Sequence, residues 1–136
     1  LIITIIIIVI KMDRLNHNVA LFRSNSFSTS LIGLHPIRIG IVGYGKLGQY
    51  LVEQLINEGN RYRLDLVFIW NRTALTHTER MKILVKFPLV KFLEALEQIK
   101  NIDIVDLIVE VCHPIIVRQY AISFLDRADF LVSDSL

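Results

Sequence analysis

The stretch Ile37-Arg38-Ile39-Gly40-Ile41-Val42-Gly43-Tyr44-Gly45-Lys46-Leu47-Gly48 decides the fold. Its first six residues form a short, β-branched apolar run that follows His35-Pro36 and stops at a glycine cluster, the pattern of a buried strand ending in a turn. From Leu47 the spacing becomes helical, with Leu47, Leu51, Val52, Leu55 and Ile56 on one stripe and Gly59 as the stop. A second apolar strand, Leu64 to Trp70, lies far enough along for the right-handed crossover that joins parallel strands. Strand, glycine turn, helix and strand make one βαβ unit.

Working outward, Ile104 to Val111 reads as a third strand, and Pro114 stands where a helix can begin. That helix carries Ile116, Val117, Tyr120, Ala121, Phe124 and Leu125 on one face, and Phe130 to Val132 closes the series as a strand. Between the two halves, Met81 to Phe87 fits a short strand, and Val90, Leu93, Leu96, Glu97 and Ile99 fit a helix after Pro88. The alternation predicts an α/β domain, a Rossmann-type parallel sheet with helices on both faces.

Three glycines at Gly-x-Gly-x-x-Gly spacing also arise by chance, and an ordinary strand-to-helix turn is the competing reading. The context favours a phosphate loop: the match follows a strand, opens a helix and lies within one βαβ unit. Gly43 then permits the tight turn, Gly45 lets backbone approach a pyrophosphate, and Gly48 lets helix and strand pack closely. Amide N–H groups of Tyr44, Lys46 and Leu47, with the positive end of the helix dipole, would receive the phosphate charges of a dinucleotide. Where an NAD enzyme places Asp or Glu to bind the ribose hydroxyls, this chain has Asn71-Arg72. Without a carboxylate to repel a 2′-phosphate, and with a guanidinium to pair with it, NADP is favoured over NAD. The alternative for Arg72 is a solvated turn residue.

Glu110, Cys112 and His113 close the third strand at the sheet edge where such folds bind ligands. Cys112 is expected to pack as a small hydrophobe, because no partner completes a nucleophilic set. His113, before Pro114, can bond the dinucleotide or cap the next helix, and both readings stand. His17, His35, His77 and His113 are scattered without ligand spacing, so no metal is expected.

Composition limits the partners. Fifteen Lys and Arg are interspersed with 13 Asp and Glu, giving a net charge of +2 and no basic stripe for nucleic acid. Hydrophobic residues make up 53% of the chain, and the mean hydropathy of +0.51 suits strands buried on both faces. Cys112 is the lone cysteine, which precludes an internal disulfide and fits a cytoplasmic setting.

Leu1 to Ile10 is almost wholly apolar, yet it is half the roughly 20 residues a membrane helix needs. No basic segment precedes it, no cleavage site follows it, and Met12 is the first methionine. Residues 1–36 are therefore expected to be a disordered or artefactual leader. The serines and arginines of 12–36 give a mitochondrial transit peptide as the alternative. Residues 37–136 are expected to be the dinucleotide-binding domain, cut off before a further domain because the chain stops directly after a strand.

The blocks Ile39-Gly40-Ile41-Val42-Gly43-Tyr44-Gly45-Lys46-Leu47-Gly48, Leu66-Val67-Phe68-Ile69-Trp70-Asn71-Arg72 and Asp106-Leu107-Ile108-Val109-Glu110-Val111-Cys112-His113-Pro114 resemble, in order, the aspartate dehydrogenase domain-containing proteins of animals. The resemblance covers about residues 37 to 133. It implies an aspartate/homoserine dehydrogenase type NAD(P)-binding domain, in a family whose members oxidise L-aspartate to iminoaspartate, which hydrolyses to oxaloacetate and ammonia. It implies cofactor contacts at Gly43, Gly45, Gly48, Asn71 and Arg72, and less firmly at Glu110 and His113. The family's catalytic histidine and its residues for the small amino-acid substrate lie in a C-terminal α+β domain, so no catalytic residue is carried over. A homo-oligomer is compatible with this reading. The alternatives are a non-catalytic dinucleotide-binding regulatory module and a non-functional gene fragment.

Overall fold

A computed structural model describes residues 18–22 and 36–134. Strands β1 (Asn18–Phe22), β2 (Ile37–Val42), β3 (Leu64–Trp70), β4 (Lys91–Leu93), β5 (Leu107–Glu110) and β6 (Asp129–Asp134) form one sheet in the order β1-β6-β5-β2-β3-β4. The pairs β2–β3, β2–β5, β3–β4 and β5–β6 are parallel, and β1 adds antiparallel to β6. Helices α1 (Lys46–Glu58), α2 (His77–Lys86) and α3 (Pro114–Leu125) connect the strands, with a short 3-10 helix at Leu96–Asn101. The chain builds outward from β2 through β3 to β4, then returns to place β5 on the other side of β2. That reversal opens a crevice beyond the carboxyl ends of β2 and β5, where this architecture binds its ligands.

Burial explains the order. β5 is buried at all four positions and β2 at five of six, as central parallel strands covered on both faces require. On one face Ile39, Ile41, Ile69 and Val109 pack beneath Leu51 and Leu55 of α1 and Ile83 of α2. On the other, Val42, Phe68, Ile108 and Phe130 pack beneath Ile116 and Phe124 of α3 and Leu96 and Ile99 of the 3-10 helix. The rings of Phe124 and Phe130 meet edge to face at 4.9 Å.

Two sequence expectations are corrected. Met81 to Phe87 is helix rather than strand: Thr76 and Glu79 form a capping box that starts α2 four residues before Met81 is reached, and Ile83 alone of its residues is buried. The helix expected after Pro88 is instead strand β4 followed by the 3-10 turn. Lys91, Phe92 and Leu93 pair with Phe68, Ile69 and Trp70, and satisfying that open edge of β3 overrides local helical spacing. The strand read from Ile104 to Val111 is shorter, Leu107–Glu110. Within the leader expected to be disordered, Asn18–Phe22 forms the edge strand β1; the apolar run Leu1 to Ile10 and the rest of 1–36 up to His35 lie outside the described residues. Among the described residues no helix is long and apolar enough to cross a membrane.

One glycine in β2 is dictated by packing. The register of β2 on β3 shifts between Ile39 and Gly40, so that Gly40 lies opposite Phe68, whose ring occupies the space a Cβ at Gly40 would need. Phe68 is fully buried, so making room at Gly40 would require its ring to shift within the core. Gly40→Ala should therefore destabilise the chain by about 1–3 kcal/mol, the usual cost of overpacking. Urea unfolding checks this: a lower midpoint at unchanged slope is expected, and an unchanged midpoint would show that the strand can yield.

Candidate dinucleotide site

The crevice is built from three chain segments: the turn after β2, the turn after β3 and the turn after β5. Gly43 adopts φ +114°, a backbone conformation that side chains resist. A Cβ there would also stand 2.7 Å from the Cβ of Cys112. Gly48, in the first turn of α1, faces the Gly43 carbonyl so closely that a Cβ would strike it, and the Val111 side chain would be 3.3 Å away. Gly45 has open space where its Cβ would be, with no atom within 4 Å. Two of the glycines thus let backbone segments touch one another, and the third leaves room for something else to approach.

The three α-helices of the described residues differ at their N-termini, where the first amides have no carbonyl one turn earlier to bond. The Thr76 side chain takes the Glu79 amide at the start of α2, and Glu79 answers as an acid in the first turn. At α3, Glu110 accepts from the Cys112 N–H at 2.7 Å and the His113 N–H at 2.9 Å, His113 Nδ1 accepts from Ile115 N–H at 3.2 Å, and Pro114 has no N–H. At α1 the N-cap is Gly45, with no side-chain hydrogen bond and no acid in the first turn. The amides of Lys46, Leu47 and Gly48 are thus left to water or to an anion at the carboxyl edge of the sheet.

The expected site residues come together in part. Gly43, Tyr44, Gly45, Lys46, Leu47 and Gly48 form the turn and the start of α1. Asn71 and Arg72 follow β3 beside it; Asn71 Oδ1 accepts from the Tyr44 N–H at 2.9 Å, and its Nδ2 donates to the Thr73 carbonyl at 2.8 Å. Glu110 is buried and accepts from the Cys112 and His113 amides and from the Cys112 thiol, so it serves the β5–α3 turn. Burial raises its carboxyl above the usual range, and the two amides act the other way. Of the two readings of His113, the structure displays the helix cap. Its ring lies at the exposed rim of the crevice. Burial, with the Glu110 charge second, pushes the Cys112 thiol up to about 12, while Arg72 pulls weakly downward. A thiol so raised is a poor nucleophile, in keeping with packing. Among the described residues no group of three His, Cys, Asp and Glu side chains could hold a metal ion.

Sequence reasoning did not foresee the two backbone bonds of Glu110 or the bridging of two loops by Asn71. Neither leaves a spacing signal, because each runs from a side chain to the backbone. The capping box was legible as Thr76-x-x-Glu79.

An open parallel sheet whose reversal crevice holds a glycine turn and one uncapped helix defines a dinucleotide-binding α/β domain. The chain belongs to the family of the NAD-binding domain of homoserine dehydrogenase, whose model matches residues 43–133. It is similar to the aspartate dehydrogenase domain-containing protein of Danio rerio, 44% identical over 96 residues, covering 71% of this chain and 32% of the relative. The protein of that description in Xenopus tropicalis is 41% identical over 98 residues, covering 71% and 31%. The chain spans about a third of the length of these curated relatives. Among solved structures, it is similar to the candidate oxidoreductase yvaA from Bacillus subtilis, with TM-score 0.47 and 21% identity, covering 64% of this chain and 23% of that one. The chain is thus the NAD-binding domain of a dehydrogenase-type oxidoreductase family.

The thiol gives a direct readout of the crevice. Cys112 should resist iodoacetamide at pH 8 and become reactive only as pH rises toward about 12, whereas the unfolded chain should react near the ordinary thiol value. Equal alkylation rates for folded and unfolded chain at pH 8 would contradict the burial argued for it.

Proposed function

We propose that residues 37–136 are the cofactor domain of an NAD(P)-dependent dehydrogenase acting on L-aspartate, with substrate residues supplied by a part of the protein outside this chain. The observation that carries the cofactor half is the start of α1 at Gly45, which has no side-chain cap, whereas the other two α-helices of the described residues carry one. The amino-acid half rests on similarity to relatives described as containing an aspartate dehydrogenase domain.

The residues fit a dinucleotide. The Lys46, Leu47 and Gly48 amides would hold the pyrophosphate, and the gap at Gly45 is where its oxygens could approach backbone. Gly43 and Gly48 keep the turn closed against Val111 and Cys112. The half-buried β5–α3 turn, held by the buried Glu110, flanks one side of the crevice. Arg72 is exposed at the mouth, and its charge is felt at Cys112. We assign it the 2′-phosphate of NADP, for which a guanidinium offers bidentate bonds. When bound, the nicotinamide supplies the hydride acceptor for oxidation of an amine to an imine.

Titrating NADPH and NADH by fluorescence against the native chain and a Gly45→Asp variant tests the loop. Asp is a favoured N-cap and has room here, so the variant should fold at least as stably as the native chain. Its carboxylate would occupy the anion site, so saturable binding should disappear. Retained binding in a folded Gly45→Asp chain would remove α1 from the site. Arg72→Ser should weaken NADPH about tenfold, the worth of a charge-assisted bond, and leave NADH unchanged. Equal affinity of the native chain for both cofactors would remove the NADP assignment and keep the loop.

A further inference from the structure

We propose that Asn71 is a positioning residue that latches the glycine loop in its phosphate-binding form, rather than a ligand of the ribose; this rests on the dinucleotide reading above. Its carboxamide bridges two loops, accepting from the Tyr44 N–H at 2.9 Å and donating to the Thr73 carbonyl at 2.8 Å. Those partners fix its orientation, since a flipped amide would set donor against donor and acceptor against acceptor.

The latch sits where the loop is weakest. Tyr44 lies between Gly43 and Gly45, so its peptide units are flanked by residues with the widest conformational freedom. Two consecutive amides of this turn are tied to consecutive residues at the end of β3: the Gly43 N–H donates to the Trp70 carbonyl at 2.7 Å, and the Tyr44 N–H donates to Asn71. The next backbone bond, Gln49 N–H to the Gly45 carbonyl at 2.8 Å, already belongs to the ladder of α1. Without the Asn71 bond the Tyr44 N–H loses its acceptor, while Gln49 Nε2 still donates to the Tyr44 carbonyl at 3.1 Å, and the order lost at the N–H side of the turn would weaken cofactor binding. An aspartate at this position would keep the acceptor for Tyr44 but set a carboxylate against the Thr73 carbonyl. Asparagine satisfies both neighbours. With both ends of the carboxamide engaged inside the protein, discrimination at the ribose falls to Arg72.

A ribose ligand and a loop latch predict different affinities. NADH and NADPH are titrated against the native chain, Asn71→Ala and Asn71→Asp, while amide hydrogen exchange at Tyr44 is followed without cofactor. Asn71→Ala should weaken both cofactors by the same factor, about five- to tenfold, and speed Tyr44 exchange. Asn71→Asp, which keeps the acceptor, should restore slow Tyr44 exchange and bring NADH to within about threefold of native. A loss confined to one of the two cofactors in Asn71→Ala overturns the latch in favour of ribose contact. Asn71→Asp binding NADH as poorly as Asn71→Ala also overturns the latch, though not in favour of ribose contact, which a carboxylate would serve as well; that comparison stands on Asp against native if the alanine variant does not fold. Failure of the native chain to bind either cofactor would refute the dinucleotide reading instead. The latch would then stand or fall on Tyr44 exchange alone, with an unchanged rate in Asn71→Asp and in Asn71→Ala refuting it.

Discussion

The close approach of the turn after β2 to the turn after β5 is the constraint on which the rest depends. Gly43 at φ +114°, Gly48 against the Gly43 carbonyl, and Val111 and Cys112 packed on both leave no room for a side chain at either glycine. That contact fixes where α1 starts, and so where its dipole and its open amides face. It also sets the distance between β2 and β5 at the reversal of strand order, where the crevice opens. Everything chemical about the site follows from this backbone arrangement, with side chains acting mainly to hold it.

Electrostatic differences among the helices complete the picture. At the starts of α2 and α3 side chains take up backbone amides: Thr76 that of Glu79, Glu79 that of Thr76, Glu110 those of Cys112 and His113, and His113 that of Ile115. α1 gives up the stabilisation a Ser, Thr or Asp cap would bring, on the order of 1 kcal/mol. Of the three described α-helices, the one without a side-chain cap is the one that starts at the crevice. Glu110 shows the same division of labour: a carboxyl at the crevice is spent on the β5–α3 turn, and burial lifts it toward its neutral form.

Much of this was legible in the sequence. The glycine spacing, the apolar runs around it and the alternation of strand with helix gave the sheet and its binding edge, because burial on both faces writes parallel strands as continuous apolar runs. The segment from Met81 to Ile99 was misread for two physical reasons. Lys91–Leu93 is strand because β3 needs a neighbour, which no local periodicity records, and α2 shows a single buried residue, Ile83, so its amphipathic signal is faint. The edge strand Asn18–Phe22 owes its place to pairing with β6 and could not be read from a polar-flanked segment alone. Side-chain to backbone bonds, those of Asn71 and Glu110, were illegible because their partners are peptide groups that every residue carries.

The central claim is that the first turn of α1, rather than the start of α2 or α3, receives the cofactor's phosphates. Amide chemical shifts recorded while NADH is added to the isotopically labelled chain measure this residue by residue. The largest changes should fall on Lys46, Leu47 and Gly48, with the Cys112, His113 and Ile115 amides, already held by Glu110 and His113, moving little. Changes concentrated at the start of α3, or none at Lys46 to Gly48 at saturating NADH, would contradict it.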